Sequence, residues 1–360
     1  MTTLTRRHLL AATLAAGTSI ALSGKAFAAP GTPRLTLPRP TGAHPVGTAA
    51  FTLTRDDRLL PAHIWYPARD TARHPRSLWM LPEVLTVLLA DAGFPADAVL
   101  PAYTSGHRNA PVRRGAHPVI FYSHGAHSHR ADTTIMVQEL ASHGYVVITV
   151  DHTGDAYTEL PGGRVLSPSP ESLGSLDFAD DLSHVIDTVL SRSGVLPAGL
   201  GHALDTRRVG VAGWSKGGTA AAWAMSRDPR VRAGLSLDAP MIPVITAPLQ
   251  RPFLMLTAEN PRDVVPEFWE QLRGWRREVH AEGAVHTSYM DYQWFYPQLA
   301  PVVGLSEKDL AELIGALDPG LAVRIQQAFP VAFFDLHLRH RRGHLLDGPS
   351  PAFPKVAVTG

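Results

Sequence analysis

Ser215 lies in Gly213-Trp214-Ser215-Lys216-Gly217, a G-x-S-x-G run with an apolar stretch (208–213) directly before it and an Ala-rich stretch (216–226) directly after it. That context predicts a strand–turn–helix elbow, which presents a serine Oγ at the tip of a tight turn. The serine amide then stands at a helix N-terminus, where the dipole favours negative charge. Glycines suit so tight a turn, and Gly217 and Gly218 let the helix pack closely on the sheet. A serine hydroxyl is a weak nucleophile until a base takes its proton and an acid orients that base. The chemistry on offer is covalent acyl transfer, and the chain must supply the partners.

In an elbow of this kind the acid and then the histidine follow the serine along the chain. The later histidines are His280, His286, His337, His340 and His344. His280 falls inside a predicted strand (277–282), and the last three belong to a terminal helix and its exit, where cations suit a helix C-terminus. His286, in the loop after that strand, is the predicted base. For the acid, Asp238 and Asp263 both follow predicted strand ends, where catalytic groups of open parallel sheets collect, and on position alone the two stay level. A developing oxyanion also needs donors. The Lys216 amide, next after the nucleophile, is one. The second is expected from Ser123-His124-Gly125-Ala126-His127, a turn after an apolar run that directs the Ala126 amide inward. His124, His127, His129 and Asp132 lie close together but match no zinc spacing, and ester cleavage by a serine requires neither metal nor cofactor.

Short apolar runs at 117–123, 145–150, 208–213, 233–237 and 253–257, with helical segments between them, predict an α/β fold: a mostly parallel central sheet covered by helices on both faces. An antiparallel hairpin over 49–67, turning at Asp56-Asp57, precedes it. Leu182, Val185, Ile186, Val189 and Leu190 recur at helical spacing and predict an amphipathic helix over about 174–192. A last helix is predicted over about 321–339, kinked or split at Pro330, ahead of a Gly/Pro-rich tail. One catalytic domain over 29–360 accounts for the whole pattern after the N-terminal segment.

That segment reads as an export signal. Arg6-Arg7 precede an apolar run from Leu9 to about Ser23, and Ala26-Phe27-Ala28 offers a small-x-small cleavage pattern with a mature start near Ala29. The run is shorter than the ~20 residues of a membrane span, and twin arginines with Lys25 point to the twin-arginine route and a location outside the cytoplasm. The chain has no cysteine, which removes disulfides, thiolate catalysis and Cys-based zinc sites. Without Arg6, Arg7 and Lys25, 30 basic residues face 32 acidic ones, and no basic patch invites nucleic acid.

Four segments in order resemble one family: Ser123-His-Gly-Ala126, Gly213-Trp-Ser-Lys-Gly-Gly218, Leu237-Asp-Ala-Pro-Met-Ile-Pro243 and Val285-His-Thr-Ser-Tyr289. The chain is similar, from about Ala49 to Leu338, to the plasma and intracellular type II platelet-activating factor acetylhydrolases, which have the α/β-hydrolase fold. The resemblance implies a Ser215–His286–Asp238 triad, with Asp238 preferred over Asp263, and oxyanion donors at Ala126 and Lys216. It also implies calcium-independent hydrolysis of short or oxidised acyl chains from phospholipids. Trp214, Lys216 and Pro240 depart from the family's usual residues, and a lysine next to the nucleophile bears on the polarity of the acyl pocket. An apolar helical segment from Trp79 to Leu89, and Tyr289, Tyr292, Trp294, Phe295 and Tyr296, match segments that touch lipid in the family; such faces either complete a core or meet a lipid interface. A triglyceride or polyester esterase, an acyltransferase and a non-catalytic scaffold are the alternatives on the same fold.

Overall fold

The computed structural model describes residues 31–191 and 194–360, so the expected export segment lies outside the described residues. In chain order, Val46–Arg55 (β1) and Arg58–Pro67 (β2) form a hairpin, followed by Arg76–Leu78 (β3), Pro82–Asp91 (α1) and Tyr103–Arg108 (β4). Next come His117–Ser123 (β5), Thr134–Ser142 (α2), Val146–Val150 (β6), a small hairpin of Thr158–Leu160 (β7) and Arg164–Leu166 (β8), and Ser175–Leu190 (α3). Leu204–Trp214 (β9), Lys216–Arg227 (α4), Val231–Leu237 (β10), Phe253–Thr257 (β11), Pro266–Gln271 (α5) and Arg276–Ala281 (β12) follow. Tyr292–Val303 (α6), Glu307–Ile314 (α7), Pro319–Leu338 (α8) and Val356–Thr359 (β13) complete the chain.

The main sheet has 11 strands in the order β13-β12-β11-β10-β9-β5-β6-β2-β1-β4-β3. The six strands from β12 to β6 run parallel, and β2 and β13 join its two ends antiparallel. Successive residues of a strand face opposite ways, and β5 shows it. Val119 and Phe121 pack with Leu182, Val185 and Ile186 of α3 on one face. Ile120 and Tyr122 pack with Met136 and Leu140 of α2 and Phe333 and Phe334 of α8 on the other. Each such buried side chain contributes ~1.5–3 kcal/mol relative to exposure. In α3 the apolar stripe Phe178, Leu182, Val185, Ile186 and Val189 is buried, and Asp177 accepts a 2.7 Å bond from the Gly174 N–H at its start.

Three predicted features change. The hairpin turn falls at Asp56-Asp57 as expected, but its strands pair from Val46 to Pro67, longer than the alternation alone suggests. α8 is not split at Pro330, which lies within the continuous helix and is buried. The Gly/Pro-rich tail returns as β13, pairing Val356 with Ala281 at the edge of β12. A third apolar cluster, built from α1, α6 and Leu35, caps the C-terminal end of the sheet. There Trp79 packs edge-on to Phe295, ring centres 4.7 Å apart.

Candidate active site

Every residue singled out for chemistry stands just past the C-terminal end of a parallel strand. Ser215 follows β9, Asp238 follows β10, His286 lies in the loop after β12, and the 124–127 turn follows β5. Ser215 has φ 53° and ψ −124°, a conformation that side-chain-bearing residues rarely adopt. Asp238 has φ 44°. Such backbones cost about 1–3 kcal/mol each and persist only where the surroundings impose them. Here the elbow is forced by close approach. A Cβ on Gly217 would meet the carbonyl oxygens of Ser123 and His124 at 2.1 and 2.3 Å, and a Cβ on Gly125 would meet the Trp214 ring at 2.2 Å. Glycine at both positions lets the elbow and the 124–127 turn touch.

The Ser215 Oγ is 2.9 Å from His286 Nε2, and His286 Nδ1 is 2.6 Å from Asp238 Oδ2. Asp238 is fully buried, whereas Ser215 and His286 are partly exposed. Burial alone would raise the Asp238 carboxyl. The His286 ring and the amides of Ala258 and Asn260, each at 2.8 Å, outweigh it and hold the group below the usual carboxylate range. The carboxylate therefore stays ionised, the state that fixes a proton on Nδ1 and leaves Nε2 free to accept one. Trp214 donates its indole N–H to the His286 carbonyl at 2.9 Å, and so holds the loop that carries His286.

The turn after β5 is organised by buried carboxylates. The Gly125 amide faces the Asp132 carboxyl, and the His127 amide donates to Asp155 at 2.6 Å. Between them, the Ala126 N–H takes no backbone or side-chain acceptor among the described residues. The Lys216 N–H begins α4 and has no carbonyl within its helix to bond. The Lys216 amide directly follows Ser215, and Gly125, next to Ala126, packs against Ser215, where a built Cβ would lie 3.1 Å from the Ser215 Cβ.

Asp263 is exposed and away from the imidazole, so the structure brings Asp238 and not Asp263 to His286. His280 is held in β12 beside Thr257, His337 packs on Trp275, and His344 is exposed beside Asp347. The clustered polar residues near the turn are each committed within the protein. His124 bonds the Gly125 carbonyl and the His152 amide, His129 bonds the Tyr292 hydroxyl, and Asp132 accepts from Tyr122 and Ser128.

A second Ser–His–Asp set was not anticipated from sequence. Ser123 Oγ is 2.8 Å from His152 Nε2, and His152 Nδ1 is 3.0 Å from Asp181. All three are fully buried, so no ester reaches Ser123. Arg55 and Arg58 ion-pair with Asp181, and the His152 ring stacks on Phe178 at 3.8 Å. The three come from separate strand ends and a helix, with no motif around them. Only the polarity of Asp181 within the apolar stripe of α3 hints at a partner.

Beside Ser215 an apolar cavity of about 130 Å³ is bounded by Ala126, Trp214 and Thr287 at one end and by Trp79, Leu89 and Phe295 from the cap at the other. Trp79, Leu85 and Leu89 of the first apolar segment and Tyr292, Phe295 and Tyr296 after His286 line it, whereas Tyr289 packs in the core and donates to the Thr257 carbonyl, and Trp294 donates to the Thr36 carbonyl. The Lys216 ammonium does not enter the cavity. It is drawn away onto Asp155, Ser172 and the Leu173 carbonyl.

The chain matches two family models. One, described as serine aminopeptidase S33, covers residues 115–290, and the other, platelet-activating factor acetylhydrolase isoform II, covers residues 30–158. It is 22% identical to a platelet-activating factor acetylhydrolase of Cavia porcellus over 84% of this chain and 78% of that protein. It is 25% identical to a probable 1-alkyl-2-acetylglycerophosphocholine esterase of Arthroderma benhamiae over 66% of this chain and 65% of that one. Among solved structures it superposes on a ferulic acid esterase from Streptomyces cinnamoneus with a TM-score of 0.75 and 27% identity, covering 89% of this chain and 98% of the other. With the fold, the site geometry and these likenesses together, the chain is a serine ester hydrolase of α/β-hydrolase fold, similar to the platelet-activating factor acetylhydrolases.

Proposed function

We propose that this chain is an exported esterase that cleaves short-acyl or oxidised phospholipid esters. In this reading Ser215 is the nucleophile, His286 the general base and then acid, Asp238 the group that orients the imidazole, and the amides of Ala126 and Lys216 the oxyanion hole. The Ser215 Oγ attacks the ester carbonyl as His286 Nε2 takes its proton. The carbonyl electrons move to an oxyanion held by the two amides, each worth ~3–4 kcal/mol in comparable sites. Collapse expels the alcohol, which receives the proton from His286. A water then repeats the sequence on the acyl-serine and frees the acid.

The observation that carries this reading is the continuous Ser215–His286–Asp238 relay, 2.9 and 2.6 Å long, at the edge of an apolar cavity. The short-acyl preference is supported by the names of the relatives and by the size of that cavity. About 130 Å³ is small against the ~300–1,000 Å³ of ordinary ligand sites. Leu81 and Val302, each 40% exposed on the cap, support peripheral contact with a lipid surface. Arg6-Arg7 and the pattern before Ala29 support export by the twin-arginine route, and the N-terminus of the mature protein recovered outside the cytoplasm tests it.

A second reading has its own observation: the cavity carries Trp79, Tyr157, Tyr292 and Phe295, and the structural neighbour is named a ferulic acid esterase. That favours an aromatic acyl group. One substrate panel separates the readings: a 2-acetyl phosphocholine lipid, dipalmitoyl phosphatidylcholine and methyl ferulate. The first reading expects kcat/KM for the acetyl lipid to lead by tenfold or more, about 1.4 kcal/mol in the barrier. A lead for methyl ferulate establishes the second reading, and a lead for the dipalmitoyl lipid refutes both.

A further inference from the structure

Lys216 contributes more than its amide. Its ammonium has three donors, and all three are used: Asp155 Oδ2 at 2.7 Å, Ser172 Oγ at 2.6 Å and the Leu173 carbonyl at 2.5 Å. Asp155 is fully buried and uses both carboxylate oxygens. Oδ2 receives Lys216 and the Ser172 hydroxyl, and Oδ1 receives the backbone N–H of His127 at 2.6 Å. His127 has φ 53°, a left-handed conformation that a side-chain-bearing residue keeps only under constraint. One carboxylate thus ties the side chain of the residue after the nucleophile to the amide next to Ala126.

We infer that the Lys216 side chain and Asp155 form a clamp that fixes the spacing of the two oxyanion amides. The clamp rests on the reading above, in which those amides receive the oxyanion. The two donors belong to different loops, one on the elbow after β9 and one on the turn after β5. Close packing at Gly125 and Gly217 brings the loops together, but packing does not set the rotation of a peptide plane. A hydrogen bond to the His127 N–H does, and the ion pair holds the acceptor in place. The ion pair is largely desolvated, so its attraction is stronger than that of a surface pair. Both are positioning residues: neither touches the reacting atoms. Misplacing a donor by an ångström weakens it in the transition state and leaves ground-state binding alone.

Asp155→Asn keeps an oxygen for His127 and loses the ion pair, and Asp155→Ala loses both. Removing the lysine alone strands a buried carboxylate and endangers folding. The Lys216→Met/Asp155→Asn pair removes both charges and keeps the shape. These variants and Ser215→Ala are assayed with p-nitrophenyl acetate and with a trifluoromethyl ketone, which mimics the tetrahedral adduct. The clamp expects kcat to fall about 10- to 100-fold in the double variant and Asp155→Ala, less in Asp155→Asn, with KM within about twofold. Affinity for the ketone should fall by the same factor as kcat/KM. A merely structural role moves stability but leaves the ketone and kcat unlinked. Wild-type kcat in a folded double variant, with Ser215→Ala inactive, overturns the clamp and leaves the esterase reading standing. Turnover that survives in Ser215→Ala overturns both.

Discussion

Trp214 lies against His286 with ring centres 4.7 Å apart and planes tilted by 38°, while its indole N–H holds the His286 carbonyl. The residue before Ser215 therefore anchors the loop that carries His286. Trp214→Phe keeps the ring contact and loses the hydrogen bond, worth about 1 kcal/mol. We expect kcat to fall about fivefold to tenfold, with little change in KM. Steady-state kinetics check it, and an unchanged kcat would show that the loop needs no anchor.

That anchor was not legible in the sequence, although most of the elbow was. Apolar runs marked β5, β6, β9, β10 and β11 because strands covered on both faces have little polar content. By contrast, all nine residues of α2 are buried: its polar stripe, Thr134, Gln138 and Ser142, is covered by residues 38–42 and β4 and not by water, so its pattern does not report its burial. Two prolines lie within α6, and β13 is four residues of a Gly/Pro-rich tail whose pairing depends on a partner 75 or more residues away. Ser215 and His286 could be picked out by context. Asp238 and Asp263 could not be told apart by position, because the deciding fact is the direction of a carboxylate and not its place after a strand. Asp155, His152 and Asp181 carry no motif; only three-dimensional proximity joins them to the site.

Exchange of the two candidate acids gives unequal results. Asp238→Asn leaves the packing intact but removes the charge that fixes the imidazole tautomer. Turnover should drop by about 10⁴, as for comparable triads. Asp263→Asn, on an exposed position away from His286, should stay within about twofold of wild type. Comparable losses in both variants would contradict the assignment.

The buried Ser123–His152–Asp181 set should behave as structure. Ser123→Ala is expected to retain reaction of Ser215 with organophosphates. Asp181→Asn removes the carboxylate that Arg55 and Arg58 share, although Arg55 keeps Asp180 and Asp56, and should cost about 1.5–3 kcal/mol of stability, the usual worth of hydrogen bonds to a charged group. Denaturant melts of the two variants provide the measurement. A stable Asp181→Asn protein would mean the arginines find other partners.

Acid should destabilise the fold through histidines buried in neutral form. Burial pushes His124 and His337 down to about 4 from an ordinary 6.5. Between those values the unfolded chain binds protons that these two folded rings refuse, so the stability they contribute is complete above pH 6.5 and is lost as pH falls toward 4. His337 packs on Trp275 and Phe333, and its Nε2 has no hydrogen-bond partner among the described residues. His337→Phe should keep those contacts and flatten the fall in unfolding free energy over that range, with kcat unchanged. An identical pH slope would show that His337 does not contribute to it.

The nucleophile itself is tested most directly by intact-mass and peptide mass spectrometry after treatment with a fluorophosphonate. One adduct per chain is expected, on Ser215, with loss of turnover in step with labelling and neither labelling nor turnover in Ser215→Ala. Stoichiometric labelling at another residue, or ester cleavage by the folded Ser215→Ala protein, would contradict it.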